Sequence, residues 1–120
     1  MLRIAVDLDG TICESKKPGQ DYEDVKPLPN AVDILNRLKD DGYYIVIYTA
    51  RNMATYNNNL GQITAHQAPV ISKWLKDYNI PYDELVLGKP HVDYFIDDKS
   101  IPFTNWDDIY STLKQKEDNK

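Results

Sequence analysis

Two aspartates, Asp7 and Asp9, stand one residue apart at the end of the first apolar run, RIAVDLDGTICE, and the chain turns at once on Gly10. Carboxylates held ~4 Å apart at an effective dielectric constant of ~20 repel by on the order of 4 kcal/mol, so the pair calls for a cation nearby or a proton on one member. Further along, Thr49 and Arg51 close the apolar stretch YYIVIYTAR, Lys89 follows ELVLG, and Asp97 and Asp98 close VDYFIDD. Acids, a hydroxyl and a lysine are the parts of a phosphoryl-transfer site. A phosphate dianion does not approach bare carboxylates. A Mg2+ ion removes that obstacle, because it prefers oxygen ligands and accepts substrate phosphate in its shell. Lys89 adds positive charge, and Thr49 with the backbone N–H groups after it suits phosphate oxygens. Asp7 is then free to attack phosphorus. Asp9 is placed to protonate the departing alkoxide and later to take a proton from water.

These residues meet only if the elements that carry them are parallel. Residues 2–7 read as a strand buried on both faces, since Leu2, Ile4, Ala5 and Val6 form a nearly continuous apolar run. Residues 12–29 read as irregular, broken by Pro18, Gly19, Pro27 and Pro29. Asn30 suits a helix N-cap. Ala31, Ile34, Leu35 and Leu38 form one apolar stripe, and Gly42 stands where that helix should stop. Residues 43–50 form a second strand, and residues 52–67 carry no clear pattern. A helix starting at Pro69 buries Ile71, Trp74, Leu75 and Tyr78. Residues 84–88 and 92–97 read as third and fourth strands. Thr104 with Asp107 resembles a capping box ahead of Trp106, Ile109, Tyr110 and Leu113. Alternating strands and helices predict an α/β fold, a three-layer α/β/α arrangement with a mostly parallel central sheet. Ligands of open parallel sheets bind beyond the carboxyl ends of the strands, where the seven polar residues fall. The competing reading is that charged residues end strands merely because chains leave the core there.

At 120 residues the chain suits a single domain over 1–120. A net charge of −5 with no polybasic run argues against nucleic acid and against a membrane surface. The lone cysteine, Cys13, has no internal disulfide partner and reads as a small buried filler, which favours a cytoplasmic location. No run of ~18 apolar residues suggests a span, and Asp7 and Asp9 interrupt any leader-like core at the N-terminus.

Four segments, in order, resemble the motifs of the haloacid dehalogenase (HAD) superfamily: DLDGT at 7–11, Thr49 in IVIYTAR, Lys89 in GKP, and IDD at 96–98. TARNMATY, NNNLGQITAH, WL at 74–75 and PYDELVLGKP are similar to a small capless subgroup, the capsular-polysaccharide biosynthesis phosphatases. Only seven residues separate Lys89 from Asp97, as in that subgroup and unlike most of the superfamily. The resemblance implies a Rossmann-like, HAD-like fold with no cap domain. It also implies Mg2+ dependence and a phosphomonoester substrate of capsular polysaccharide or sugar-nucleotide biosynthesis. Asp7 is then the nucleophile, Asp9 the general acid/base, and Thr49 and Lys89 the holders of the phosphoryl group. The metal falls to Asp7, the backbone carbonyl of Asp9, and Asp97, with Asp98 supporting it from behind or through water.

An uncapped site suits either a large, sugar-linked substrate or a homo-oligomer whose neighbour serves as lid. Ala50, Arg51, Asn52, Tyr56, Asn57, Gln62 and His66 are placed to read a substrate, with Tyr22 and Lys26 behind them. The alternative is a solvated loop with helix-capping duties and a structural His66. Three rival functions remain at this level: a catalytically idle Mg2+-binding scaffold, a receiver-like signalling domain, and a nucleic-acid end phosphatase. Thr49 stands where a receiver's phosphorylated aspartate would be expected, and the acidic balance disfavours the last.

Overall fold

Three of the apolar runs become strands. The computed structural model describes residues 2–119. It holds β1 (Arg3–Asp7), β2 (Tyr44–Thr49) and β3 (Glu84–Leu87) in a parallel sheet of order β1-β2-β3. The register runs from Arg3 beside Tyr44 to Asp7 beside Tyr48, and from Val46 beside Glu84 to Thr49 beside Leu87. All three carboxyl ends therefore reach the same edge. Parallel neighbours need crossovers. Helix α1 (Ala31–Asp40) joins β1 to β2, α2 (Leu60–Asp77) joins β2 to β3, and α3 (Trp106–Asp118) follows. This is the expected α/β class, a parallel sheet flanked by helices without a cap. No helix among the described residues is long and apolar enough to cross a membrane.

The pleat of β2 alternates Ile45, Ile47 and Thr49, all buried, with half-buried Tyr44, Val46 and Tyr48. Val6, Ile45 and Ile47 join the stripe Ala31, Ile34, Leu35 and Leu38 of α1 in one core with Ile71, Trp74 and Leu75 of α2. Residues 2–7 are not buried on both faces as expected: Arg3 and Ala5 are exposed. β1 is an edge strand, and on its open face Arg3 lies over the Tyr44 ring and pairs with Glu84 at 3.0 Å.

Helix ends depart from expectation by local hydrogen-bond choices. Gly42 does end α1: at φ 95° it lets Tyr43 N–H reach back to the Leu38 carbonyl at 3.0 Å. Asn30 makes no side-chain cap bond, and its amide instead donates to Asp107 at 3.0 Å. The Thr104–Asp107 box does not form. Asn105 caps α3 by accepting from Asp108 N–H at 2.9 Å. The α2 helix begins at Leu60, not at Pro69. Asn57 and Asn58 take left-handed conformations that short polar side chains tolerate, and Asn59 caps by accepting from Gln62 N–H at 3.1 Å. Pro69 sits inside the helix and removes one ladder donor.

The fourth strand, 92–97, is not formed. Residues 91–100 are exposed throughout, Ile96 by 97%, and Asp97 turns the chain by accepting from Lys99 N–H at 2.6 Å. β-Propensity expresses itself through neighbours, and this segment has no ladder partner among the described residues.

Asp83, just before β3, receives the Lys39 ammonium at 2.6 Å and the Ile45 N–H at 2.8 Å. The Lys39 bond, then the Ile45 bond, hold its pKa below the ordinary carboxylate value. A depressed acid stabilises the fold above its unfolded pKa and loses that contribution as pH falls through the folded value. Thermal unfolding of Asp83→Asn should therefore lose less stability than wild type on acidification below about pH 4. Parallel acid limbs would exclude this role.

Candidate active site

Leu8 orients the two aspartates. It is buried to 1% exposure, its N–H extends the ladder to the Tyr48 carbonyl at 3.2 Å, and its carbonyl accepts from Thr11, Ile12 and Cys13. With Leu8 pinned inward, Asp7 and Asp9 on either side line the cleft at the strand ends. Cys13 lies behind them, fully buried. Burial, then the Asp9 charge, push its thiol up to about 12, so it supplies no thiolate near neutral pH.

Each carboxylate has its own cation. Lys89 Nζ is 3.4 Å from Asp7 Oδ2, and Leu8 N–H donates to Asp7 Oδ1 at 2.9 Å. The ammonium stands 4.4 Å from the Tyr48 ring centroid and 4.7 Å from that of Phe95. Its backbone is set by β2, since the N–H groups of Gly88 and Lys89 both donate to the Thr49 carbonyl. Gly88 suits this approach twice over. Its φ is 97°, and a Cβ there would meet Leu60 at 2.6 Å. Burial raises the pKa of Asp7, outweighing the opposing pull of Lys89 and Leu8 N–H.

Asp9 is held by a fork. Arg51 Nη2 donates to Oδ1 at 2.7 Å and Nε to Oδ2 at 3.2 Å, and the Thr49 hydroxyl donates to Oδ2 at 3.4 Å. The guanidinium lies 3.8 Å from the Tyr22 ring centroid, and the Arg51 side chain is only 3% exposed. Arg51 N–H donates to the Thr49 hydroxyl at 3.0 Å, which fixes the turn after β2. Hydrogen bonds to charged groups contribute ~1.5–3 kcal/mol. Stripping one partner from a buried ion pair costs ~3–5 kcal/mol. The repulsion that the DLD spacing creates is thus offset by two side-chain cations.

The cleft encloses about 530 Å³ and is open. Ser15, Lys16 and Tyr22 form one wall, residues 50–55 a second, and residues 90–93 with Phe95 a third. Of the residues expected in the site, Asp7, Asp9, Ala50, Arg51, Asn52 and Lys89 line the cleft, and Thr49 is buried directly beneath Asp9. Asp97 and Asp98 are not among its walls. Asp97 instead accepts from Ser100 and Lys99, which lower its pKa in that order. His66 is outside as well, exposed on α2 and stacked on Tyr56 at 5.6 Å. Lys26 donates to Tyr78 at 3.4 Å, and Asn57 and Gln62 serve the start of α2. Ser15, Lys16 and Phe95 were missed by sequence reasoning. The first two follow DLDGT so closely that proximity was a usable signal, whereas Phe95 was hidden inside an expected strand.

Of the magnesium ligands that the resemblance implies, Asp7 and Asp9 lie at the cleft and Asp97 does not line it. Mg2+ takes octahedral oxygen donors, of which waters and substrate phosphate supply most beside one or two carboxylates. Among the described residues no three His, Cys, Asp or Glu side chains gather to hold a metal. Asp7 faces Lys89, both oxygens of Asp9 face Arg51, and Asp97 is engaged elsewhere.

Residues 4–119 match the family model of haloacid dehalogenase-like hydrolases. Among solved structures, a structural-genomics target from Vibrio cholerae is 35% identical at a TM-score of 0.79, covering 97% of this chain and 99% of that one. D,D-heptose 1,7-bisphosphate phosphatase from B. bronchiseptica, complexed with magnesium and phosphate, is 18% identical at a TM-score of 0.52 and shares the fold. The alignment covers 98% of this chain and 64% of that one. A component of a Pnkp1/Rnl/Hen1 complex aligns over 80% of this chain and 30% of its own, with 22% identity and a TM-score of 0.51. No curated protein matches the chain in sequence.

Proposed function

Because the chain belongs to the haloacid dehalogenase-like hydrolases, we propose that it is a phosphomonoester hydrolase working through an aspartyl-phosphate on Asp7. The observation that carries this reading is the convergence of Asp7, Lys89 and the Arg51-bound Asp9 in one open cleft at the strand ends. Asp7 attacks phosphorus as the bond to the leaving oxygen breaks, and Asp9 gives that oxygen a proton. Water then attacks the phosphoaspartate, Asp9 takes a proton from it, and inorganic phosphate leaves with Asp7 restored. Lys89 offsets charge on the transferring group, and the Thr49 hydroxyl, spent on Asp9, steadies that carboxylate rather than the phosphoryl group.

The resemblance also implies Mg2+, which lets a phosphate dianion approach carboxylates when it is bound. Asp7 and the backbone carbonyl of Asp9 would hold it at the cleft, as the resemblance implies, and no step is assigned to the ion. For the substrate, we take a sugar-linked or other bulky phosphomonoester of capsular-polysaccharide or sugar-nucleotide type. The uncapped cleft and its aromatic walls, Tyr22 and Phe95, support that choice. The test is phosphate release across a panel of sugar, polyol and aryl phosphates, with acid-quenched protein examined for a phosphoryl adduct. Turnover with the adduct on Asp7 is expected. An adduct on another residue would overturn the covalent route, and silence on every ester would overturn the activity.

A further inference from the structure

Arg51 reads in the sequence as a substrate ligand, yet its geometry is that of a support. Its side chain is 3% exposed, Nε and one terminal nitrogen are spent on Asp9, and the Tyr22 ring closes its face at 3.8 Å. Its backbone N–H is spent on Thr49. Asp9 in turn accepts at both oxygens, from Arg51 at each, with longer contacts from the Cys13 thiol at 3.6 Å and the Thr49 hydroxyl at 3.4 Å, and stays 26% exposed toward the cleft. A planar fork on a planar carboxylate fixes the plane of that carboxylate as well as its place, which a point charge does not do.

We propose that Arg51 is a positioning residue rather than a substrate ligand. It sets the rotamer and plane of the Asp9 carboxylate facing the leaving oxygen, with Tyr22 as the backstop of the guanidinium. Tyr22 comes from the irregular segment after β1 and Arg51 from the turn after β2, so the clamp also ties two walls of the cleft together. The proposal rests on the reading of Asp9 as the proton donor to the leaving group.

The experiment compares kcat/KM for an alkyl phosphate, whose leaving oxygen needs a proton, with that for p-nitrophenyl phosphate, whose leaving oxygen does not. In Arg51→Lys and Arg51→Met the alkyl ester should lose more, widening the aryl-to-alkyl ratio by about tenfold or more. Inhibition by inorganic phosphate should stay within about threefold of wild type, because binding is not what the fork serves. Tyr22→Leu should shift the ratio in the same direction by less. Equal losses on both esters with weakened phosphate inhibition would make Arg51 a substrate ligand and overturn the proposal. An unchanged ratio in folded variants would leave it a structural residue only. If wild-type protein hydrolyses neither ester, the phosphatase reading itself fails. The clamp is then judged by thermal unfolding of Arg51→Met, Asp9→Asn and their combination. Losses in Tm that fall short of additive support it, and additive losses exclude it.

Discussion

Asp7→Asn should release no measurable phosphate from any monoester, a fall of at least about 10⁴-fold, because a nucleophile that acts as a unit with its partners leaves little behind when it is removed. The amide retains the shape of the carboxylate and a hydrogen-bond acceptor for Leu8 N–H, so the loss will not come from unfolding. Stability should in fact rise slightly near neutral pH. Burial raises the pKa of Asp7. An acid whose folded pKa is raised stabilises the fold below its unfolded pKa and forfeits that contribution as pH climbs through the folded value. At neutral pH the ionised Asp7 therefore strains the fold, and a neutral side chain relieves it, the pattern of an active site that trades stability for reactivity. Phosphate release and thermal unfolding on the same preparation check both halves. Turnover within about tenfold of wild type would end the covalent mechanism.

Lys89→Met should lower kcat/KM by on the order of 10²–10³, the range found when one preorganised electrostatic donor is removed from a site of developing charge. Methionine keeps an unbranched apolar stem between Tyr48 and Phe95 and deletes the ammonium. The substitution also strips Asp7 of its counter-charge, which holds its pKa down against burial. The acid limb of the pH–rate profile should move upward in the variant for that reason. Lys89→Arg, which restores charge with different geometry, should recover part of the loss. A full-activity Lys89→Met enzyme would show that the amine serves only as a resting partner of Asp7.

The polar ends of the strands were readable from the chain because they depend on short-range pattern. An apolar run followed by DLDG states where β1 stops, and the period of Ala31, Ile34, Leu35 and Leu38 states which face of α1 is inward. Thr49 and Lys89 were placed in the same way, each at the close of an apolar run. Boundaries failed where two local devices competed. Asn59 outbid Pro69 as the start of α2, and Asn105 displaced Thr104 as the cap of α3, because a capping bond depends on backbone geometry that residue type alone leaves open.

The sequence by itself located the three strands that form, though it also read a fourth at 92–97 that does not, along with the apolar stripes of the helices and the placing of Asp7, Asp9, Thr49 and Lys89 at strand ends, since each follows from neighbours within a few residues. Tertiary structure alone decided that Arg51 turns back on Asp9 beneath Tyr22, that His66 stacks on Tyr56 outside the cleft, and that residues 91–100 form no strand, with Asp97 accepting from Lys99 and Ser100. The physical reason is range. The Arg51–Asp9 bonds join residues 42 positions apart. Which cation settles on which carboxylate depends on which charges burial brings together and deprives of water.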